Sequence, residues 1–535
     1  MRVVIPPVFT AKADYRPIPE HRGYYDNRTY YRSMLRQTMD SRSHIAPLIL
    51  FSVTAVIYLL FPTRVYYWDG IVFAQAIEDA SRLSPSLVHP NHLIYNFAGY
   101  LFYKLLRALG ADIRALTALQ ILNSLLSALC AGVLFSILRE TFRSFYLSIC
   151  LALLFAFSAT WWKFSTDANA YIPSVLFLLI SFYLVLPGKK PRPLLTAFTF
   201  FISMAFHQLA VLMFPVLALG VYLQDVTLKR QALNAVYFTV TAAVLIVAAY
   251  AGLFYLAQGG FDPFRFVRWT TSYSPDADTK FRLWSNLQYS LRGHVRLFFG
   301  GRLNALRGLW NPAIVVLLLC LIAAILFFIL NVLQNLRPFK LTLGTRQKTV
   351  LLLSLLWTGV YLVFLFFWLP QNTFYRLFYL PALIIVLGLA LSTFKHSRAL
   401  AAFVIAAALA NFLFLIYPAS HAEKYPPLAF AQQMNREWPA GTVIFYMNES
   451  SDVSLMRYFT PRARWMRMHL KFMDDPKGEM RNVWAEGGTV WFETSAIDAH
   501  QLNPDVIQWF ERHARKETLR ELNDGAYRIR FVQVY

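Results

Sequence analysis

Apolar runs about as long as a bilayer is thick recur from Ile45 to Tyr417, and no other feature of this chain restricts its fold so severely. A helix needs roughly 20 apolar residues to cross the hydrocarbon core. Inside that core only helices and closed barrels satisfy their own backbone groups. Composition agrees: of 535 residues, 57% are hydrophobic, 16% aromatic and only 15% charged, more apolar surface than one soluble core can bury. The expectation is an α-helical multi-pass membrane protein of about eleven spans over 45–417. A basic tail, 1–44, precedes it, and a small α/β domain, 418–535, of ordinary soluble composition follows.

Basic loops assign the sides of the membrane. The expected spans are Ile45–Pro62, Ala115–Leu138, Phe145–Thr160, Ile172–Leu186, Leu194–Phe206, Leu209–Leu223, Ala232–Leu256, Pro312–Leu333, Thr349–Leu369, Leu377–Phe394 and Leu400–Tyr417. With the tail cytoplasmic, this order puts Lys189, Lys190 and Arg192 of GKKPRP inside, together with Lys229, Arg230, Arg337, Lys340, Arg346, Lys348, Lys395, His396 and Arg398. His92–Leu109 has two readings, a full span or a helix in the outer interface. Counting it as a span turns GKKPRP outward, so the interfacial reading is preferred. The 418–535 domain then lies outside. Its expected strands are Thr442–Met447, Ala463–Leu470, Thr489–Thr494 and Tyr527–Tyr535, with helices near Leu428–Trp438, Asp452–Phe459 and Pro504–Leu522.

The formal charge of +22 does not imply a nucleic-acid partner, because in a membrane protein such an excess sits in loops that set topology or meet lipid phosphates. Cys130, Cys150 and Cys320 lie inside apolar runs without paired spacing, so neither a disulfide framework nor a zinc site is indicated. No cofactor is required by any motif, and the need for a divalent metal is left open. The polar stretch before the first span, with no small-residue cleavage site after it, reads as a retained tail rather than a signal peptide.

Polar chemistry concentrates in the first outer loop, YYWDGIVFAQAIEDASRLSPSLVHPNHLIY, Tyr66 to Tyr95. It holds Asp69, Glu78, Asp79, His89 and His92 at a membrane surface. Asp69 suits either a helix N-cap or a general base. Asp167 and the His207–Gln208 pair fall on the same side, as does Arg376 at the start of a span. The outer loop 257–310 breaks the charge rule with Arg265, Arg268, Lys280, Arg282, Arg292, Arg296, Arg302 and Arg307. Individually these arginines suit snorkelling to headgroups; as a group they favour a phosphate.

In order, these motifs resemble the GT-C superfamily of integral-membrane glycosyltransferases, within it the bacterial relatives of protein O-mannosyltransferases. Asp69 and HPNH match the acid and the HPP-like segment of the family's first outer loop. WWKFSTDANAY matches its aromatic turn through Trp162 and Tyr171, FHQLAVLMFP its His turn, and FYRLFYLP its Arg entering a late span. The resemblance implies an inverting transfer, mannosyltransferase-like, from a polyprenyl-phosphate-linked sugar to an acceptor hydroxyl of a protein, glycan or lipid. It places the reaction at the outer face of a bacterial inner membrane. Asp69 would be the catalytic base, and His89, His92, His207, Arg376, Arg292 and Arg296 would bind the donor phosphate. Val72 and Asn169 stand where the family carries acids, leaving Glu78, Asp79 or Asp167 for a second acid. The rival reading is a non-catalytic transporter, flippase or receptor for a lipid-linked sugar; no internal repeat of the kind transporters show is present.

Overall fold

Helices occupy the apolar runs. In chain order they are α1 (Ile45–Leu60), α2 (Trp68–Asp79), α3 (Tyr95–Ala108), α4 (Ala115–Phe142), α5 (Phe145–Ala156), α6 (Ala159–Ser165), α7 (Tyr171–Leu184) and α8 (Pro193–Phe206). Then follow α9 (Phe214–Tyr222), α10 (Leu228–Gln258), α11 (Pro263–Thr271), α12 (Leu283–Phe298), α13 (Pro312–Asn335), α14 (Thr345–Trp368), α15 (Leu380–Leu391) and α16 (Ser397–Asn411). This computed structural model describes residues 45–271, 282–301, 312–335, 343–392, 397–421, 423, 425–447, 450–468, 476–494, 504–514, 519–523 and 527–535. The tail 1–44 and Lys280, Arg302, Arg307, Arg337, Lys340, Lys395 and His396 lie outside the described residues.

Among the described residues, four helices can cross a membrane by length and composition: α4, α10, α14 and Arg398–Ala419, with α5 plus α6 a fifth if the bent pair is one span. The apolar helices α1, α7, α8 and α15 are shorter. The chain is an integral membrane protein. One expected span is corrected: Phe145 onward is not a single rod but α5 and α6, set at 65° to each other. The break frees carbonyls that need new donors, and they find them. The Ser158 hydroxyl donates to Phe155 O at 2.9 Å and the Asn411 amide to Phe157 O at 2.8 Å.

At one end of the bundle, Glu140 of α4 accepts from Lys189 Nζ at 3.1 Å and from Arg346 at 2.7 Å. Two basic loops expected on one side of the membrane therefore share a single carboxylate.

Beyond the bundle lies a five-stranded sheet in the order β2-β1-β3-β5-β4. Its strands are β1 (Val443–Tyr446), β2 (Arg464–Arg467), β3 (Val490–Glu493), β4 (Arg520–Asn523) and β5 (Arg528–Val534). β1 is parallel to β2 and β3; β5 is antiparallel to β3 and β4. Helices Pro426–Glu437 and Ser451–Phe459 contribute Phe430, Met434, Leu455 and Met456 to one apolar core, which joins Trp491 and Phe531 of the sheet to Ile71, Phe73 and Ile77 of α2. The expected helix Pro504–Leu522 is corrected as well. It ends at His513, and Arg520–Asn523 pairs with β5 instead, because ladder bonding to a buried neighbour outweighs local helical pattern.

Candidate functional site

Asp69 lies in the first turn of α2, and the start of that helix is seated on the turn between α6 and α7. The backbone N–H of Tyr67 donates to Asp167 Oδ2 at 2.9 Å, and Thr63 N–H to Thr166 O at 3.2 Å. Gly70 permits this approach: a Cβ there would stand 2.5 Å from Ala168 O. The turn in turn hangs from polar side chains of α4. Gln120 donates to Thr63 O (2.8 Å) and Thr166 O (3.0 Å), Asn123 to the carbonyls of Asp167 and Asn169 (both 2.8 Å), and Ser124 to Ser165 O (3.1 Å). Three polar residues on one face of an apolar helix thus satisfy the carbonyls of an irregular buried segment.

Asn169 is fully employed in that turn. Its amide group donates to Phe164 O (2.7 Å) and Asp167 O (3.1 Å), while its oxygen accepts from the N–H groups of Tyr171 and Ile172 (both 3.2 Å) at the head of α7. A carboxylate cannot donate, so the amide suits this position and an acid does not.

Asp167 is fully buried and ion-paired with Lys163, one turn earlier on α6, and it also accepts from Ala168 N–H at 2.9 Å. Burial raises its proton affinity; the Lys163 ammonium and the backbone donors oppose that. Burial likewise raises the Asp69 carboxyl, with the Tyr67 hydroxyl acting the other way. That makes Asp69 a stronger base than an exposed carboxylate.

Aromatic rings join this acid to the histidines. The Tyr67 hydroxyl meets that of Tyr171 at 2.8 Å, and the Tyr171 ring stands 4.9 Å from His207, 5.7 Å from Tyr375 and 5.4 Å, stacked, from Phe374. Asp69 acts on Tyr375 electrostatically, and burial with that charge lifts the Tyr375 hydroxyl to about 12. His92 lies 4.7 Å from His207 and stacks on His89 at 5.2 Å. Burial holds all three rings neutral: His89 is lowered to about 4, His207 to about 3, and His92 well below the usual range. His207 Nδ1 accepts from Leu209 N–H at 3.0 Å, which leaves the proton on Nε2, buried and, among the described residues, without a partner. His92 Nδ1 is likewise buried and unpartnered among them. Both are unsatisfied polar atoms.

Arg376 follows Tyr375 in the 3₁₀ turn Phe374–Phe378 and is only 1% exposed. Its guanidinium donates to the carbonyls of Asn372 and Pro370, and among the described residues its Nε–H has no partner and no carboxylate pairs with it. α12 covers it. His294 on that helix sits within hydrogen-bond reach of the Tyr379 hydroxyl, 3.0 Å away, and takes Ser290 O at 2.7 Å.

The expected site residues therefore divide. Asp69, Asp167, His207, His92 and His89 are linked through Tyr67 and Tyr171, whereas Arg376 follows Tyr375 in the chain with its guanidinium against Gly293 of α12. Glu78 is committed elsewhere, to Arg114, Ala115 N–H and the Tyr458 hydroxyl. Asp79 is exposed at the far end of α2, and Arg292 and Arg296 face outward from α12. Sequence reading passed over Lys163, although its place one turn before Asp167 signalled a pair. It also passed over Tyr375 as a site wall and Gly293 under Arg376; no local signal marks that glycine. Among the described residues no cluster of three or more His, Cys, Asp or Glu is arranged to hold a metal ion.

No family model and no curated relative matches the sequence. Solved structures do. ArnT from Cupriavidus metallidurans bound to undecaprenyl phosphate superposes with a TM-score of 0.56 at 11% identity, covering 91% of this chain and 98% of that one. The apo form of the same protein gives a TM-score of 0.56 and covers 97% of its chain. The resemblance thus spans the bundle and the terminal sheet together, and the fold is the one seen in ArnT.

Proposed function

We propose that the protein is a glycosyltransferase that takes a sugar from a polyprenyl-phosphate donor and passes it to an acceptor hydroxyl of a protein, glycan or lipid. One observation carries the reading: Arg376 is a buried guanidinium that pairs with no carboxylate among the described residues, and its chain neighbour Tyr375 packs on Tyr171 in an aromatic chamber that also holds a carboxylate of raised proton affinity. Burying an unpaired charge costs several kcal/mol, about what an anionic ligand offsets when it arrives. A lipid phosphate fits, and the neighbouring ArnT structure was solved with undecaprenyl phosphate bound.

In the proposed step the acceptor oxygen attacks the anomeric carbon from the face opposite the phosphate, inverting it. The carbon–oxygen bond to phosphate breaks, its electron pair stays on the lipid phosphate, and Asp69 takes the acceptor's proton. Arg376 and the open Nε2–H of His207 stabilise the leaving phosphate, with His89 and His92 lining the approach. Asp167, locked to Lys163, holds Tyr67 and so the start of α2. Glu78, Asp79, Arg292 and Arg296 play no direct part. The motifs favour a mannosyl-type donor. The site faces the outer side of a bacterial inner membrane, with the tail cytoplasmic and 418–535 outside.

The test uses purified full-length protein and polyprenyl-phosphate sugars labelled in the sugar. Label leaving the lipid, with free lipid phosphate formed in equal amount, is the expected result. Tight binding with all label retained on the lipid would instead make the protein a receptor or carrier.

A further inference from the structure

The helix Ser451–Phe459 belongs by sequence to the terminal sheet, yet its polar residues are directed at α2. Trp68, Gln75 and Glu78 lie along one stripe of α2, and each is engaged. Trp68 Nε1 donates to the Ser454 hydroxyl at 3.2 Å, and the Gln75 amide donates to Ser454 O at 3.2 Å. Arg457 donates to Gln75 Oε1 at 2.6 Å, and the Tyr458 hydroxyl to Glu78 Oε1 at 2.9 Å. Just before α2, Tyr66 stacks on Phe459 with ring centroids 5.3 Å apart.

Both ends of this contact are anchored. Arg457 also donates to the Tyr446 hydroxyl of β1 at 2.8 Å, which ties the helix to the sheet. On the other side Arg114, at the head of α4, grips Glu78 through NH2 at 2.6 Å, donates to Tyr458 O at 2.7 Å and stacks over the Tyr458 ring at 3.7 Å. The Tyr458 hydroxyl also accepts from Leu116 N–H at 3.1 Å, so one side chain reaches both α2 and the first turn of α4. A chain of strong, partly charged hydrogen bonds therefore runs from the sheet through Arg457 and Gln75 to the helix whose first turn carries Asp69.

We infer that Arg457 and Tyr458 are positioning residues for the transfer reaction: they lock α2 between the terminal sheet and α4 and so fix where Asp69 stands. The inference rests on Asp69 being the base. Neither residue touches the reacting atoms. Their effect is on the placement of a carboxylate that must meet the acceptor oxygen within a fraction of an ångström, where small displacements cost large factors in rate.

The experiment uses the full-length protein and three variants: Arg457→Met, Arg457→Lys and Tyr458→Phe. Hydrogen–deuterium exchange across Trp68–Asp79, melting temperature, and kcat and KM for a labelled polyprenyl-phosphate sugar are measured on each. The Met and Phe variants are expected to raise exchange in α2 about tenfold and to lower kcat about tenfold with KM unchanged. The Lys variant regains part of the loss, because an ammonium still reaches Gln75. Unchanged α2 exchange, or a kcat that falls only in proportion to the folded fraction, overturns the inference. Should Arg457→Met fail to fold, Tyr458→Phe decides alone, since it removes a single hydroxyl and keeps the ring over Arg114. A wild-type protein inert toward such donors would overturn the transferase reading and the catalytic role with it, whereas the bracing of α2 is judged separately by the exchange measurement, which uses no substrate.

Discussion

Gly293 lies directly against the guanidinium of Arg376: a Cβ at that position would stand 2.5 Å from Cζ and 2.7 Å from one terminal nitrogen. The helix backbone of α12 is thus the floor on which the buried cation rests. Gly293→Ala forces the guanidinium aside, an overpacking that typically costs 1–3 kcal/mol. Donor affinity is expected to fall about tenfold or more, measured by titrating labelled polyprenyl phosphate. Arg376→Ala should weaken binding further than Arg376→Lys, because an ammonium retains charge without the fork. Unaltered affinity in Gly293→Ala would show that Arg376 does not face the phosphate.

Asp69→Asn removes a proton acceptor and keeps the shape. Transfer should drop by about a hundredfold or more while donor binding holds. Because burial raises the Asp69 carboxyl, its ionised form is disfavoured in the folded protein, and that cost is present once pH exceeds the folded value. The neutral variant is therefore expected to melt above the wild type at pH 7. A helix cap behaves otherwise, since Asn caps about as well as Asp and would leave turnover near normal.

His89 is neutral when folded down to about pH 4 but takes a proton near its ordinary 6.5 when unfolded. Its contribution to stability is complete above the unfolded value and is lost as pH falls toward the folded one. Melting temperature should decline between about pH 6.5 and 4, and His89→Gln should flatten part of that decline. A slope identical in both proteins would mean that the ring titrates normally.

Asn169→Asp replaces two donated hydrogen bonds with a carboxylate facing the carbonyls of Phe164 and Asp167. Uncompensated buried charge costs about 3–5 kcal/mol. The variant should lose folded protein in a thermal melt and gain no activity. A stable, faster enzyme would reinstate this position as the missing acid.

Glu140 links Lys189 to Arg346, so both loops share a side. Reporters inserted in GKKPRP and near Arg346 should give the same cytoplasmic signal, and one fused after Tyr535 the opposite. Disagreement between the first two would break the proposed topology.

Hydropathy made the helices readable because lipid admits so few alternatives: α4, α10 and α14 fall where apolar runs and basic flanks put them. Asp69, the histidines and Arg376 stood out as ionisable groups beside long apolar runs, where such groups have few reasons to be, and their proposed roles came from the family resemblance. Other features were hidden because they depend on partners far along the chain. Glu78 looked available until Tyr458 and Arg114 were brought to it. Phe157 gave no hint of a bend, because the donor that tolerates it is Asn411. β4 read as helix, since only its pairing with β5 makes it a strand.

The Gln120–Asn123–Ser124 ladder on α4 has a consequence for biogenesis. α4 emerges from the ribosome before the Thr166–Ala170 turn it supports, so those carbonyls find donors as soon as they enter the bilayer. The seat for Asp69 is ready early in synthesis. Tyr458, by contrast, is made long after that turn, and Glu78 waits for it until then. A nascent chain stalled before Ser451 would carry the acid and its seat without the brace from the terminal sheet, so the full site is completed only as the Ser451–Phe459 helix folds back.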